Sequence, residues 1–209
     1  MKNNKELIAS MIASGTLKSP HIIKAFETVD RKYFIPDEYR EFTYVDRPLP
    51  IGKDQTISQP STVAFMLELL NPQEEDNILD IGSGSGWTTA LLCYIVGKNG
   101  SVIGLERHDE LVIYGQNNLK KLHLHENCHI QKAEKKLGIP DKKFDKILVS
   151  ASAKEIPHEL FKQLKVGGRM VLPVKNSIFR FEKISDTKIK SEEFPGFVFV
   201  PLIREDINS

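Results

Sequence analysis

Hydrophobic residues at helical spacing mark the first part of the chain. Three stripes predict short helices, and they consist of Leu7, Ile8, Met11 and Ile12, of Ile22, Ile23 and Phe26, and of Val63, Met66, Leu67 and Leu70. Residues 31–60, between the second and third stripes, are rich in proline but also carry many apolar and aromatic side chains. A long irregular segment inside a compact domain is usually functional or disordered, and this composition favours an ordered one.

From residue 77 onward, the pattern alternates between strands and helices. Strands are predicted at 78–81, 101–105, 129–131, 144–149 and 170–174. Helices are expected after the first, second and fourth of these strands, and the last helix should run through Ile156, Leu160 and Leu164 and end at Gly167-Gly168. Such alternation indicates parallel strands joined by helical crossovers.

The tail of the chain has a different pattern. Two strand-like runs, residues 178–184 and 197–203, have no helix between them, which predicts an antiparallel pair at one end of the sheet. We interpret the lysine-rich residues 183–190 as the solvated edge of this hairpin, because lysines on sheet edges discourage unwanted pairing.

Together these patterns predict one α/β domain with a Rossmann-like, mostly parallel sheet. Residues 1–76 would be an N-terminal helical and loop addition, residues 77–175 the ligand-binding core, and residues 176–209 the C-terminal strands. The length of 209 residues fits a single domain. The formal net charge of +1 gives no support to a nucleic-acid-binding or membrane-binding surface.

The cysteines and the chain start favour a cytoplasmic protein. Cys93 and Cys128 are too few for a disulfide framework, so we expect a reduced chain. The first residues do not resemble a signal peptide, and no apolar run approaches the ~20 residues that a bilayer requires. The histidine-rich residues 123–129 match no standard zinc spacing, and we predict no metal site.

A glycine-rich segment, residues 80–86, lies where the first strand of the core meets the next helix. Its sequence is Asp-Ile-Gly-Ser-Gly-Ser-Gly, and its third glycine comes one residue too early for the dinucleotide-binding pattern. Glycines let a ligand approach the backbone closely, and the following helix presents free N–H groups. Asp80 would repel a pyrophosphate but suits a cation such as S-adenosylmethionine, which carries an ammonium and a sulfonium.

A second carboxylate strengthens this prediction. Glu106 ends the next predicted strand, 24 positions after Gly82. In this topology that strand end lies beside the glycine loop, where a carboxylate can accept hydrogen bonds from both ribose hydroxyls. The alternative is a tight strand-to-helix turn and an unrelated surface glutamate, but the loop and the spaced acid together favour a cofactor site.

Hydroxyl and amide side chains cluster just before the third helical stripe. On composition alone, helix capping is the favoured interpretation, with Ser58 or Ser61 as the N-cap and Pro60 near the first turn. The whole string from Gln55 to Pro60 changes that interpretation, because it is found in a known family.

The chain resembles the protein-L-isoaspartate O-methyltransferases, which act on isomerised aspartates in damaged proteins. The resemblance covers nearly the full length, and it is carried by residues 14–15, 20–26, 31–36, 44–52, 55–60, 80–86, 155–157, 163–169 and 199–202. The glycine loop is shared by many methyltransferases. The Thr-Ile-Ser-Gln-Pro string and the Phe-Val-Pro-Leu tail are much more specific to this family.

The resemblance implies a class I methyltransferase fold, S-adenosylmethionine as the cofactor, and isoaspartyl-containing proteins and peptides as partners. It places the active-site hydroxyl on Ser58 and substrate contacts on Ile57 and Val200. Together with the charge argument for Asp80, it predicts the cofactor-binding residues Pro60, Ser61, Thr62, Asp80, Gly82, Ser83, Gly84, Glu106 and Glu134. A monomer is the default expectation.

The chemistry agrees with this assignment. A carboxylate acceptor is already ionised at neutral pH, since the reference pKa of Asp is about 3.9, so methyl transfer to it needs no strong general base. Ser58 should therefore hydrogen-bond the acceptor carboxylate and not act as a covalent nucleophile. The methyl ester is then expected to close to a succinimide without the enzyme's help and to reopen partly as normal aspartate.

Three positions depart from the family pattern, and they leave two alternatives open. Lys53-Asp54 places a charge pair before Ser58, Ser61 replaces the more common Tyr or His, and Ala133-Glu134-Lys135 replaces Gly-Asp-Gly. The first alternative is a methyltransferase of the same fold with a different carboxylate acceptor. The second is a degenerate cofactor-binding protein with a regulatory role.

Overall fold

Nine strands are distributed between residues 49 and 195 of the part of the chain that the computed structural model describes, residues 1–124 and 126–203. In this part of the chain the strands are β1 Leu49–Gly52, β2 Gln55–Ile57, β3 Asn77–Ile81, β4 Ser101–Glu106, β5 Cys128–Lys132, β6 Phe144–Val149, β7 Leu164–Val174, β8 Ser177–Ser185 and β9 Lys188–Pro195. Strands β1 and β2 form a separate hairpin. The other seven form one sheet in the order β5-β4-β3-β6-β7-β8-β9, in which β3 to β7 are parallel and β8 and β9 antiparallel.

Helices cover both faces of this sheet. They are α1 Asn4–Ala13, α2 Pro20–Thr28, α3 Pro60–Leu70, α4 Trp87–Val96, α5 Asp109–Lys121 and α6 Glu159–Gln163, with two 3-10 helices at Arg31–Phe34 and Asp37–Phe42. Neighbouring strand residues alternate between two buried clusters, with Ile78 in one and Leu79 in the other. The first cluster joins the sheet to α1–α5, and the second joins it to α6 and the loop before β6. The predicted class I α/β architecture is thereby confirmed.

The antiparallel strands at the C-terminal side differ from the prediction. The partner of β8 is β9, Lys188–Pro195, and not residues 197–203. Strand β9 was not predicted, because it is an exposed edge strand that is rich in Lys and Glu and lacks an alternation of apolar and polar residues. Residues 197–203 instead cross the ends of the parallel strands, where the N–H of Ser152 donates to Val200 O at 2.8 Å and that of Leu202 to Ser152 O at 2.8 Å.

Two further predictions in this region are wrong. The last helix does not continue through Leu164 to Gly167-Gly168, because β7 begins at Leu164 and contains both glycines. A Cβ on Gly168 would lie 2.9 Å from Asp145 O, so only glycine allows the backbones to pack at this distance. Lys183 is not part of a solvated edge. Its side chain is buried, and its Nζ donates to the carbonyls of Phe161 and Leu164.

The expectation of two reduced cysteines is also contradicted. Cys93 of α4 and Cys128 of β5 form a disulfide, with their Cα atoms 6.0 Å apart. Helix α4 packs against the sheet next to β5, and this tertiary contact brings together residues that are 35 positions apart in the sequence. Spacing along the chain carries no signal of such a contact.

The described residues contain neither a membrane-spanning helix nor a metal-binding cluster. No helix within residues 1–124 and 126–203 is long and apolar enough to cross a membrane. Across the same residues, no group of three or more His, Cys, Asp and Glu side chains is arranged to hold a metal ion. His125, part of the histidine-rich segment, lies outside the described residues.

Candidate active site

The candidate site lies at the carboxyl ends of β3, β4 and β6. From β3 the chain continues to β4 and β5 on one side of the sheet, whereas β6 and β7 lie on the other side. In open α/β sheets, ligands bind in the crevice at such a switch point. Three segments meet there: the glycine loop after Ile81, Glu106 at the end of β4, and Ser150-Ala151 after β6.

The glycine loop turns sharply between β3 and α4. The N–H of Gly82 donates to Leu105 O at 2.8 Å, and Gly82, Gly84 and Gly86 have φ angles of +85°, +51° and +87°. Residues that carry a Cβ rarely adopt such positive φ angles. A Cβ on Gly86 would also lie 3.1 Å from Gly115 O. The loop therefore requires glycine both for its turn and for its packing against α5.

Glu106 is buried beside this loop, with both carboxylate oxygens in use. Its Oε2 accepts from the N–H of Gly84 at 3.0 Å, and its Oε1 accepts from the N–H of His108 at 2.9 Å. A carboxylate has about four lone-pair sites. Glu106 therefore keeps the capacity to accept hydrogen bonds from the hydroxyls of a ligand, in a fixed orientation.

Asp80 lies behind the glycine loop. It is fully buried and lines neither of the cavities described below. Its Oδ2 accepts from Thr89 Oγ1 at 2.6 Å, whereas its Oδ1 has no hydrogen-bond partner among the described residues. Burial raises the pKa of Asp80 to about 6; the Thr89 hydrogen bond opposes this shift and the charge of Glu106 adds to it. Asp80 therefore makes no contact with either cavity, and its role in cofactor binding stays a prediction that would depend on its charge.

Ser58 follows β2 and is held through its backbone by Arg31. The guanidinium of Arg31 is buried; its Nη2 donates to Ser58 O and Arg47 O, both at 3.0 Å, and its Nη1 donates to Thr43 O at 2.8 Å. Burial lowers the pKa of Arg31 to about 9, and the charge of Asp46 opposes the shift. Arg31 consequently stays protonated at neutral pH and fixes the chain on both sides of the β1–β2 hairpin.

Arg31 supports the candidate site through the backbone of Ser58, and the sequence predicted no such role for it. In the sequence, Arg31 stands out only as one residue of the family resemblance. A signal was present, because Arg31 opens a segment of aromatic and apolar residues in which a charge needs several partners. Its partners, however, are backbone carbonyls up to 27 residues away, and the sequence does not reveal them.

The start of α3 is arranged differently from the predicted cap. Gln59 is the N-cap residue and makes no side-chain cap hydrogen bond, and Pro60 occupies the first turn. Asp46 receives the N–H of Ser61 at 2.9 Å and the Nε2 of Gln59 at 3.1 Å. Pro60, Ser61 and Thr62 line neither cavity. Their role in cofactor binding therefore stays a prediction.

Two connected cavities gather most of the predicted residues. The small one, of about 50 Å³, is lined by Ile57, Ser58, Gly82, Ser83, Gly84, Glu106 and Val200, among others. The larger cleft, of about 850 Å³, shares Gln55, Gly82, Glu106 and Ala151 with it and continues along residues 132–138, which include Glu134. A cleft of this size can enclose a nucleoside-sized ligand, and the small cavity then lies between that ligand and Ser58.

Comparison with known proteins decides the family. Residues 2–206 match the family model described as protein-L-isoaspartate(D-aspartate) O-methyltransferase (PCMT). The chain belongs to this family. A protein-L-isoaspartate O-methyltransferase of Methanopyrus kandleri is 38% identical over an alignment of 207 positions, which covers 97% of this chain and 92% of the relative. One from Pyrococcus horikoshii is also 38% identical, over 96% of this chain and 93% of its own.

A solved structure of the family agrees with the fold. A protein-L-isoaspartate O-methyltransferase from Plasmodium falciparum, crystallised with S-adenosyl-L-homocysteine, is similar at a TM-score of 0.86 and 26% identity. The match covers 98% of this chain and 100% of the other. This agreement extends over the N-terminal addition as well as the sheet.

The departures from the family pattern have defined places in the structure. Lys53 and Asp54 form the tip of the β1–β2 hairpin, and Lys53 Nζ lies 2.6 Å from Glu110 Oε1 in the first turn of α5. Glu134 lines the larger cleft. Ser61 is tied to Asp46 by its backbone. The departure at residues 133–135 therefore lines the larger cleft, whereas Lys53, Asp54 and Ser61 line neither cavity.

Proposed function

We propose that this protein transfers the methyl group of S-adenosylmethionine to the carboxylate of L-isoaspartyl residues in proteins and peptides. The observation that carries the proposal is the small cavity, which joins Ser58 to the glycine loop and Glu106 in a chain of this family. A methyl donor bound along the loop would face an acceptor held at Ser58.

The cleft fits this cofactor. The hydroxyl of Ser83 is buried in the glycine loop without a hydrogen-bond partner among the described residues, and it lines the small cavity. It can donate to the carboxylate of the cofactor's amino-acid part. Glu106 can accept from the ribose hydroxyls, and Glu134 lines the part of the cleft that would hold the adenine. The charges of Asp80 and Glu106 suit the positively charged groups of the cofactor.

Catalysis here depends on alignment. When bound, S-adenosylmethionine supplies a methyl group on a sulfonium sulfur, and its loss to the acceptor oxygen leaves neutral S-adenosylhomocysteine. Ser58 would donate a hydrogen bond to the acceptor carboxylate and orient its other oxygen toward the glycine loop. The described residues that line the small cavity include no histidine that could activate Ser58 as a nucleophile. Ile51, Ile57 and Val200 would exclude water from the reacting atoms.

The wider role follows from the product. An isoaspartyl methyl ester closes to a succinimide, and part of that succinimide opens to normal aspartate, so the reaction starts repair. Substrate recognition would involve Ile57 and Val200 at the edge of the cavity. We further propose that the protein acts as a monomer, without nucleic acid, in the cytoplasm. The availability of the methyl donor there supports this location, whereas the Cys93–Cys128 disulfide removes the argument from reduced cysteines.

Methyl transfer to paired peptides tests the proposal. Labelled S-adenosylmethionine is incubated with an isoaspartyl peptide or its aspartyl twin, using wild type, Ser58→Ala and, as a control, Ser185→Ala at the end of β8. We expect transfer to the isoaspartyl peptide alone. Loss of one hydrogen bond to a charged group should lower the rate in Ser58→Ala by roughly 10- to 100-fold. Ser185→Ala should match wild type.

Two outcomes would contradict the proposal. Cofactor binding without transfer to the isoaspartyl peptide would mean that the acceptor is another group. Equal rates for Ser58→Ala and wild type would remove Ser58 from the acceptor site while leaving the reaction itself in place.

A further inference from the structure

The β1–β2 hairpin covers the glycine loop. Its inner face is formed by the buried side chains of Leu49, Ile51 and Ile57. Ile51 packs directly on the loop, because its Cδ1 is 3.1 Å from the position of a Cβ on Gly84. Gln55 of the hairpin lines both cavities. A ligand on the glycine loop therefore lies beneath the hairpin.

The base of the hairpin is fixed. Arg47 lies just before β1 and Ser58 just after β2, and the same nitrogen of Arg31 donates to the carbonyls of both at 3.0 Å. Asp46 adds a second attachment, since it accepts from Gln59 and from the N–H of Ser61. Movement of the hairpin would accordingly be a swing of its tip about this anchored base.

The tip of the hairpin is a two-residue turn with a positively charged and a negatively charged side chain. Lys53 and Asp54 have φ angles of +55° and +56°, which are those of a type I′ turn. The side-chain Nε2 of Gln55 donates a hydrogen bond to Lys53 O and supports the turn. Lys53 Nζ then bonds Glu110 Oε1 at 2.6 Å, across the opening between the hairpin and α5. Hydrogen bonding to Lys53 lowers the pKa of Glu110, so this carboxylate is ionised at neutral pH.

We propose that the β1–β2 hairpin is a lid over the bound cofactor and that the Lys53–Glu110 ion pair is its latch, which slows release of S-adenosylhomocysteine. The identity of this ligand rests on the proposed function. The side chains of Lys53 and Glu110 are 44% and 64% exposed, so the pair can open to solvent. The anchored base returns the tip to the same partner. Lys53 is thus a positioning residue that acts on cofactor exchange and not on the reacting atoms.

The expected effect is small and sensitive to salt. Exposed ion pairs contribute little to stability, so their loss is expected to change a rate by roughly 1.5- to 5-fold. Removing the latch should speed release of S-adenosylhomocysteine by that factor. Raising NaCl should speed release from wild type and should have less effect once the pair is gone.

The dissociation rate of S-adenosylhomocysteine, without peptide, tests the latch. Trp87 lines the small cavity, and its fluorescence can report release because the chain contains one tryptophan. The variants are Lys53→Met, which keeps the aliphatic stem, Glu110→Gln, and both together. Glu27→Gln is the matched control, since it removes the carboxylate of another exposed ion pair, Lys24–Glu27 on α2, and neither of these residues lines a cavity.

We expect each single variant and the double variant to release the ligand at the same faster rate, because each removes the same pair. Glu27→Gln should release it at the wild-type rate. Unchanged release in Lys53→Met and Glu110→Gln would overturn the latch, and so would equal acceleration in Glu27→Gln. Failure of wild type to bind S-adenosylhomocysteine at all would instead overturn the proposed function.

Discussion

At the scale of single residues, Asp80 makes stability depend on pH. Its pKa is about 6 in the folded protein, against an ordinary value of 3.8. Between these values the folded state keeps a proton that the unfolded state has lost, so the Asp80 contribution to the free energy of unfolding falls as pH rises from about 4 to 6 and is constant above. At 1.36 kcal/mol per pKa unit the total is about 3 kcal/mol.

Asp80→Asn tests this dependence, because asparagine keeps the shape and can still accept from Thr89. We expect the variant to be as stable as wild type near pH 4 and more stable by up to about 3 kcal/mol at pH 7. Urea unfolding of both proteins at several pH values measures the difference. A difference that does not change with pH would show that the carboxylate of Asp80 keeps its ordinary pKa.

Residues were predictable where their role follows from a position in the chain. Gly82 and Glu106 could be found because they end consecutive parallel strands, whose carboxyl ends meet at one edge of the sheet. Ser58 could be found only through the family string around it, since its composition alone favours a helix cap. Asp80 was found, but its burial behind the loop was not, because the sequence does not show which way a strand residue faces.

At the scale of elements, Lys183 shows how strand β8 is joined to a helix. Its side chain is 5% exposed, and its Nζ binds Phe161 O and Leu164 O at the end of α6 as well as Asp186 at 2.9 Å. Cations at the carboxyl end of a helix satisfy its unpaired carbonyls.

Replacement of this lysine should therefore loosen α6. We expect Lys183→Met to lower the free energy of unfolding by about 1–3 kcal/mol, because two partly buried carbonyls lose their donor. Lys190→Met is the matched control on the exposed β9, where a change within about 0.5 kcal/mol is expected. Denaturant unfolding compares the two variants. Equal effects would mean that Lys183 contributes no more than a surface lysine.

Elements were predictable where burial gives them an apolar period. Four of the five parallel strands were predicted within about one residue of their bounds, whereas β7 begins six residues before its predicted start. The central strands β3 and β4 have the clearest apolar runs, because both of their faces are buried. Strand β9 and the short α6 have no such pattern, because one is solvated and the other spans five residues. Strand β9 forms because it pairs with β8, and α6 ends where β7 begins at Leu164.

At the scale of the whole molecule, the site is assembled from segments that are distant in sequence. The N-terminal addition contributes Ser58 and its Arg31 anchor, the core contributes the glycine loop and Glu106, and Val200 closes the cavity from the C-terminal side. The hairpin lies over the glycine loop with Ser58 at its base, so opening of the proposed lid would affect the acceptor side and the cofactor side of the cavity together. The sequence predicted the three contributions but not the contact between the hairpin tip and α5.

The disulfide is a covalent link between helix α4 and strand β5 at the edge of the sheet. It joins α4, which follows the glycine loop, to the edge strand β5 over 35 residues, and Ile130 of β5 packs against Gly86 at the start of α4. Closing a loop of this length stabilises the folded state by about 2–4 kcal/mol. We expect unfolded, unreduced protein to contain no free thiol, and reduction to lower the free energy of unfolding by that amount. The double variant Cys93→Ala, Cys128→Ala should not respond to reductant. Two titratable thiols in protein purified under air would contradict the link, and the fold would then rest on packing alone.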